Sequence, residues 1–126
     1  MRTLTRVGLF AAMLALGAFA LPSPAAANSS SGCSGFDGRW QTTWAGGMVT
    51  KMRITGTQGT YSFKGGTLSG RRSAGVFFGT YYQNDGGGSG HFHFWLSNSG
   101  NSFSGWYATA AHPDTHIAWK GACLGP

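Results

Sequence analysis

No glutamate occurs anywhere in this chain, and its only acidic side chains are Asp37, Asp85 and Asp114. Hydrolysis of a glycosidic bond needs two carboxyl groups facing each other across it, and three aspartates in separate loop phrases do not supply that pair. Helical periodicity is missing beyond Gly38, which excludes a glycine-rich phosphate cradle leading into a helix. Serines are plentiful, but none stands in a strained elbow with a histidine and an orienting acid. Cysteine is limited to Cys33 and Cys123. In an oxidising compartment such a pair reads as one disulfide, the other reading being two free thiols. A bonded pair offers no thiolate nucleophile. These absences point away from an enzyme, and no cofactor is expected.

The one long apolar run, Val7 to Leu21, follows Arg2 and Arg6 and is succeeded by Pro22-Ser23-Pro24-Ala25-Ala26-Ala27. A basic start, an apolar stretch shorter than the ~20 residues that span a bilayer and small residues after it describe a secretory signal peptide, cleaved after Ala27. Cys33 lies too far past the run to be a lipidation site. The expected organisation is a signal peptide over 1–27, a flexible serine-rich lead-in over 28–35 and a single domain over 36–126, secreted or periplasmic, with no membrane span after cleavage. The formal charge is +6; such a basic balance favours anionic partners, although plain solubility accounts for it equally well.

From Gly38 onward the chain reads as short phrases of alternating apolar residues fenced by glycine, such as Met48 to Ile54, Gly75 to Tyr81, Gly90 to Leu96 and Ser102 to Tyr107. A period of two is that of a strand with one face in a core. Eight strands follow: 39–44, 48–55, 60–63, 66–71, 76–83, 90–96, 102–108 and 116–123. Their short, glycine-rich connections join antiparallel neighbours. Curling such a meander until its edges meet predicts an all-β, up-and-down barrel of about eight strands, with room inside for side chains or one small ligand. A two-sheet sandwich is the alternative.

The phrases Gly38-Arg39-Trp40, Gly59-Thr60-Tyr61, Leu68-Ser69-Gly70, Gly79-Thr80-Tyr81, Ser102 to Tyr107 and Ala118-Trp119-Lys120 resemble a widespread group of small exported bacterial β domains patterned with glycine and tryptophan. At fewer positions the chain is similar to the avidin and streptavidin barrels, which bind biotin. That second resemblance implies a barrel with aromatic walls, to which Trp95, Phe103 and Trp119 would correspond. Gln41-Thr42-Thr43 stands where that family presents asparagine and serine to the ureido ring.

Aromatic residues carry the functional reading. Alternation turns one member of each adjacent pair Tyr81-Tyr82, Trp95-Leu96 and Trp106-Tyr107 outward, where indole and phenol faces stack on sugar rings or fill partner pockets. The candidate binding residues are Trp44, Trp95, Trp106, Trp119, Tyr81 and Tyr82, with Arg71 and Arg72 for carboxylate or phosphate groups. The expected partner is a glycan or cell-envelope polymer, or a secreted protein such as a hydrolase inhibited through the loops 84–89 and 112–115. A small ligand inside the barrel would show as a cavity lined by Trp40, Phe77, Phe94 and Phe103. Nucleic acid is disfavoured by the export signal. His91 and His93 share one strand face, as two metal ligands would, although the register of Phe92, Phe94 and Leu96 places both on the outer surface.

Overall fold

The computed structural model describes residues 32–126; the expected signal peptide and the lead-in up to residue 31 lie outside the described residues. Eight strands follow in order: β1 (Gly38–Trp44), β2 (Met48–Thr55), β3 (Gln58–Tyr61), β4 (Gly66–Ser73), β5 (Val76–Gln83), β6 (Gly88–Leu96), β7 (Ser102–Thr109) and β8 (Ile117–Gly125). Each pairs antiparallel with the next, and β8 returns to β1, closing an up-and-down barrel. Closure removes both sheet edges, so the sandwich alternative does not apply. No helix occurs among the described residues.

Tight turns make the meander possible. Ala45-Gly46, Lys64-Gly65, Ala74-Gly75 and Asp85-Gly86 all have positive φ at both positions. Main-chain bonds close three of these turns, Gly47 to Trp44, Gly66 to Phe63 and Gly87 to Asn84. These are type I′ geometries, whose twist matches that of the flanking strands. The β2–β3 turn needs only Gly56-Thr57 between the paired Thr55 and Gln58. The third strand therefore begins two residues earlier than the pattern suggested and ends at Tyr61, while β8 starts at Ile117 and runs on to Gly125.

The interior is filled. Trp40, Ile54, Leu68, Phe77, Phe92 and Phe94 are fully or almost fully buried. Phe94 lies 4.3 Å from Phe103 between ring centroids, and Phe103 lies 5.1 Å from Trp40. The residues expected to line an internal cavity thus pack against one another.

One end of the barrel is plugged by Phe36, which packs on Trp40, Phe77 and Phe103 and accepts the Trp40 indole N–H at its carbonyl, 2.8 Å away. Outside the plug, the Cys33–Cys123 disulfide ties the segment just before β1 to β8 across 90 residues. Arg72 donates to Asp37 at 2.6 Å and to the Gly56 carbonyl at 2.8 Å, and its guanidinium lies over the Phe36 ring. The Gly56 amide, first, and then Arg72 hold the Asp37 carboxyl below its ordinary value.

Candidate functional site

Three outward strand faces place aromatic rings in one row. The register sets Arg71 opposite Phe78, Phe78 opposite His93, and His93 opposite Trp106. Cross-strand neighbours on one face lie close enough for their rings to meet. Phe78 and His93 stack at 5.5 Å between centroids and 19°, His93 and Trp106 at 5.7 Å and 25°, and Trp106 and His116 at 3.6 Å and 6°. The result is a column of near-parallel rings across β5 to β7, ended by His116 just before β8. Trp95, 43% exposed, leans on His93 at 4.4 Å.

This arrangement decides what a partner meets. Ring faces inside the column are covered by neighbouring rings, so His93 and Trp106 present mainly edges, which carry the imidazole nitrogens and the indole N–H. Such edges can donate and accept hydrogen bonds, while Trp95 keeps an exposed ring face. Arg71 stands at the Phe78 end, and Lys120 shares a shallow groove with Trp95, Ser102 and Ser104. Tyr82 projects outward on β5 with 57% of its surface exposed.

The candidate residues therefore divide into three groups. Trp95, Trp106, Tyr82 and Arg71 lie on the outer surface. Tyr81 and Trp119 are buried and Trp44 half-buried, all pointing into the barrel, where Trp119 touches Trp44, Tyr61, Tyr81 and Tyr107. Arg72 is committed to Asp37 and the Phe36 plug. Phe78 and His116 complete the column although alternation alone did not single them out; the signal for them is the strand register, which no single phrase contains.

His91 and His93 do face outward, but His93 is enclosed by Phe78, Trp95 and Trp106. Among the described residues no three histidine, cysteine, aspartate or glutamate side chains come together as a metal site.

At the end of the barrel away from Phe36 the interior becomes polar. The Thr42 and Thr50 hydroxyls meet at 3.3 Å, and the Tyr61 hydroxyl donates to the Gln83 side-chain oxygen Oε1 at 2.7 Å. Burial, and then the neighbouring Tyr81 and Tyr107, push the Tyr61 hydroxyl far above its ordinary value; burial raises Tyr81 and Tyr107 as well. These three hydroxyls remain protonated donors at neutral pH. The buried indole N–H groups of Trp44 and Trp119 have no hydrogen-bond partner among the described residues.

No family model, curated protein or solved structure matches the chain.

Proposed function

We propose that this is an exported, non-catalytic binding protein that recognises a glycan or other cell-envelope polymer through the aromatic column on β5 to β7 and the adjoining Trp95. The observation that carries this reading is the column itself: five rings, Phe78, His93, Trp95, Trp106 and His116, held in register on the outside of a barrel whose interior is already filled. A small barrel has no packing need for two outward indoles, and a contiguous exposed aromatic patch on a monomer marks an interaction surface. The basic apolar leader and the disulfide support export.

Isothermal titration of the mature protein with soluble cell-wall polysaccharide fragments tests the reading. Trp106→Ala, which removes an edge hydrogen bond, and Trp95→Ala, which removes a stacking face, are each expected to weaken binding about tenfold, as loss of a contact worth about 1.4 kcal/mol requires, with the circular dichroism spectrum unchanged. Parent-like affinity in both variants sinks the proposal. Inhibition of a secreted hydrolase that survives both variants and disappears when residues 84–89 or 112–115 are exchanged would put the function in the loops instead.

A second reading rests on the unpartnered indoles. A small molecule rich in acceptor atoms, seated at the polar end of the barrel, would take the N–H groups of Trp44 and Trp119 and the Tyr81 and Tyr107 hydroxyls. Its signature is a change in tryptophan fluorescence on binding that Trp119→Phe abolishes and Trp106→Ala leaves intact.

A further inference from the structure

The side of the barrel away from the aromatic column carries different chemistry. On β1 and β2 the register sets Arg39 directly across from Arg53, and Lys51, two residues along β2, shares the same outward face. Like charges placed opposite each other destabilise a sheet. No acidic side chain offsets them: among the described residues the one side-chain ion pair is Arg72 with Asp37. Arg39 donates its Nε to the main-chain oxygen of Pro126 at 3.2 Å, and the side chains of Lys51 and Arg53 have no hydrogen-bond partner among the described residues. The three cations border a groove that also holds the hydroxyls of Thr60 and Ser62. Past Arg53 the surface continues over Thr55, Gln58, Thr67 and Ser69.

We infer that Arg39, Lys51 and Arg53 form an oxyanion-binding site for an acidic polysaccharide, with its carboxylate or sulfate groups on the cations and its hydroxyls along the threonine and serine strip. Guanidinium groups bind such oxyanions through paired N–H donors, and the lysine adds a point charge. An anion seated between the cations also relieves their mutual repulsion, so the free protein carries a cost that the bound one does not. Charge alone would suit nucleic acid equally. Single-strand recognition, however, uses outward aromatic rings on which bases stack, and β2, β3 and β4 turn none outward here. Their outer face offers hydroxyl and amide groups, which match the hydroxyls of a sugar chain. This site is independent of the aromatic column and stands even if that reading fails.

The test titrates the mature protein with dextran sulfate and polygalacturonate, with neutral dextran, inorganic sulfate and single-stranded DNA as comparisons, at low and at physiological salt. Both acidic polysaccharides are expected to bind, more weakly as salt rises, while neutral dextran does not. Arg53→Gln is expected to weaken that binding about tenfold and Lys51→Gln/Arg53→Gln about a hundredfold, since each removes a charged hydrogen bond. Lys64→Gln, which removes a cation outside this groove, leaves it nearly unchanged. Melting temperature should hold or rise in the Arg53 and Lys51 variants because the cationic repulsion is relieved; this separates loss of a site from loss of fold. Parent-like binding by the double variant overturns the inference, as does inorganic sulfate binding as tightly as the polymers. Single-stranded DNA outcompeting both polysaccharides overturns the assignment to a sugar chain.

Discussion

Five large rings inside the barrel each face a glycine across the strand ladder: Tyr61 with Gly66, Tyr81 with Gly90, Phe92 with Gly79, Phe94 with Gly105 and Phe103 with Gly121. The interior of an eight-stranded barrel is only just wide enough for side chains. An added Cβ would strike the facing ring at Gly66, Gly90 and Gly121 and the main-chain oxygens of Ser69 and His93 at Gly79 and Gly105, so glycine here supplies space rather than flexibility. At Gly121 an added Cβ would fall within the Phe103 ring, which is held by Phe36, Trp40 and Phe94 and has nowhere to retreat. Gly121→Ala is therefore expected to destabilise the protein by about 1–3 kcal/mol, the usual cost of overpacking a filled core. The denaturation midpoint should fall at unchanged slope. A variant as stable as the parent would mean that the ring is free to move. The sequence displays these glycines at strand spacing, but which ring each one accommodates depends on register, a relation between phrases far apart in the chain.

Turn chemistry fixes the hairpins with unequal efficiency. Ala74 and Ala45 adopt φ of 46° and 43°, a region in which alanine is strained and asparagine or glycine is not. Ala74 is exposed and opens the two-residue connection between Ser73 and Val76. Ala74→Asn creates the Asn-Gly pair that a type I′ turn prefers and is expected to raise stability by about 0.5–1 kcal/mol. Thermal denaturation checks this; no gain would show that the strand pairing, rather than the turn, determines the local cost. Alternation made the strands legible: β2 and β5 fall where their apolar rhythm places them, and Trp95, Trp106 and Tyr82 face outward beside inward Leu96, Tyr107 and Tyr81. It could not assign faces to isolated aromatics. Trp44 and Trp119 share the inward face of paired strands β1 and β8, a fact that exists only once the barrel has closed. Nor could it show that Arg72 is committed to Asp37, since that pair joins the start of the domain to the end of β4.

Closure gives the molecule two unlike ends. At one, Phe36, the Asp37–Arg72 pair and the disulfide seal the barrel. A crosslink spanning 90 residues contributes about 4.5 kcal/mol on the chain-entropy argument. The other end gathers Tyr61, Tyr81 and Tyr107 around Trp119, and this sets the response to alkali. Burial raises all three tyrosines above their ordinary value, and their mutual proximity raises Tyr61 and Tyr81 further. In the unfolded chain tyrosine ionises near pH 10. Above that pH the unfolded state therefore holds fewer protons than the native state, and stability must fall as pH rises. The contribution of the three hydroxyls is present in full below about pH 10 and is lost as pH climbs through their raised native values. Urea midpoints measured from about pH 8 to 11 should stay level and then drop from about pH 10. Phenolate absorbance of the buried rings should rise only together with loss of the β-sheet spectrum. Tyr61→Phe removes the most strongly shifted group, so its decline with pH should be shallower than the parent's, whatever its starting stability. Early phenolate formation by all four tyrosines in a still-folded barrel would show that this end is open to water, and would favour a ligand seat there over a packed aromatic lid.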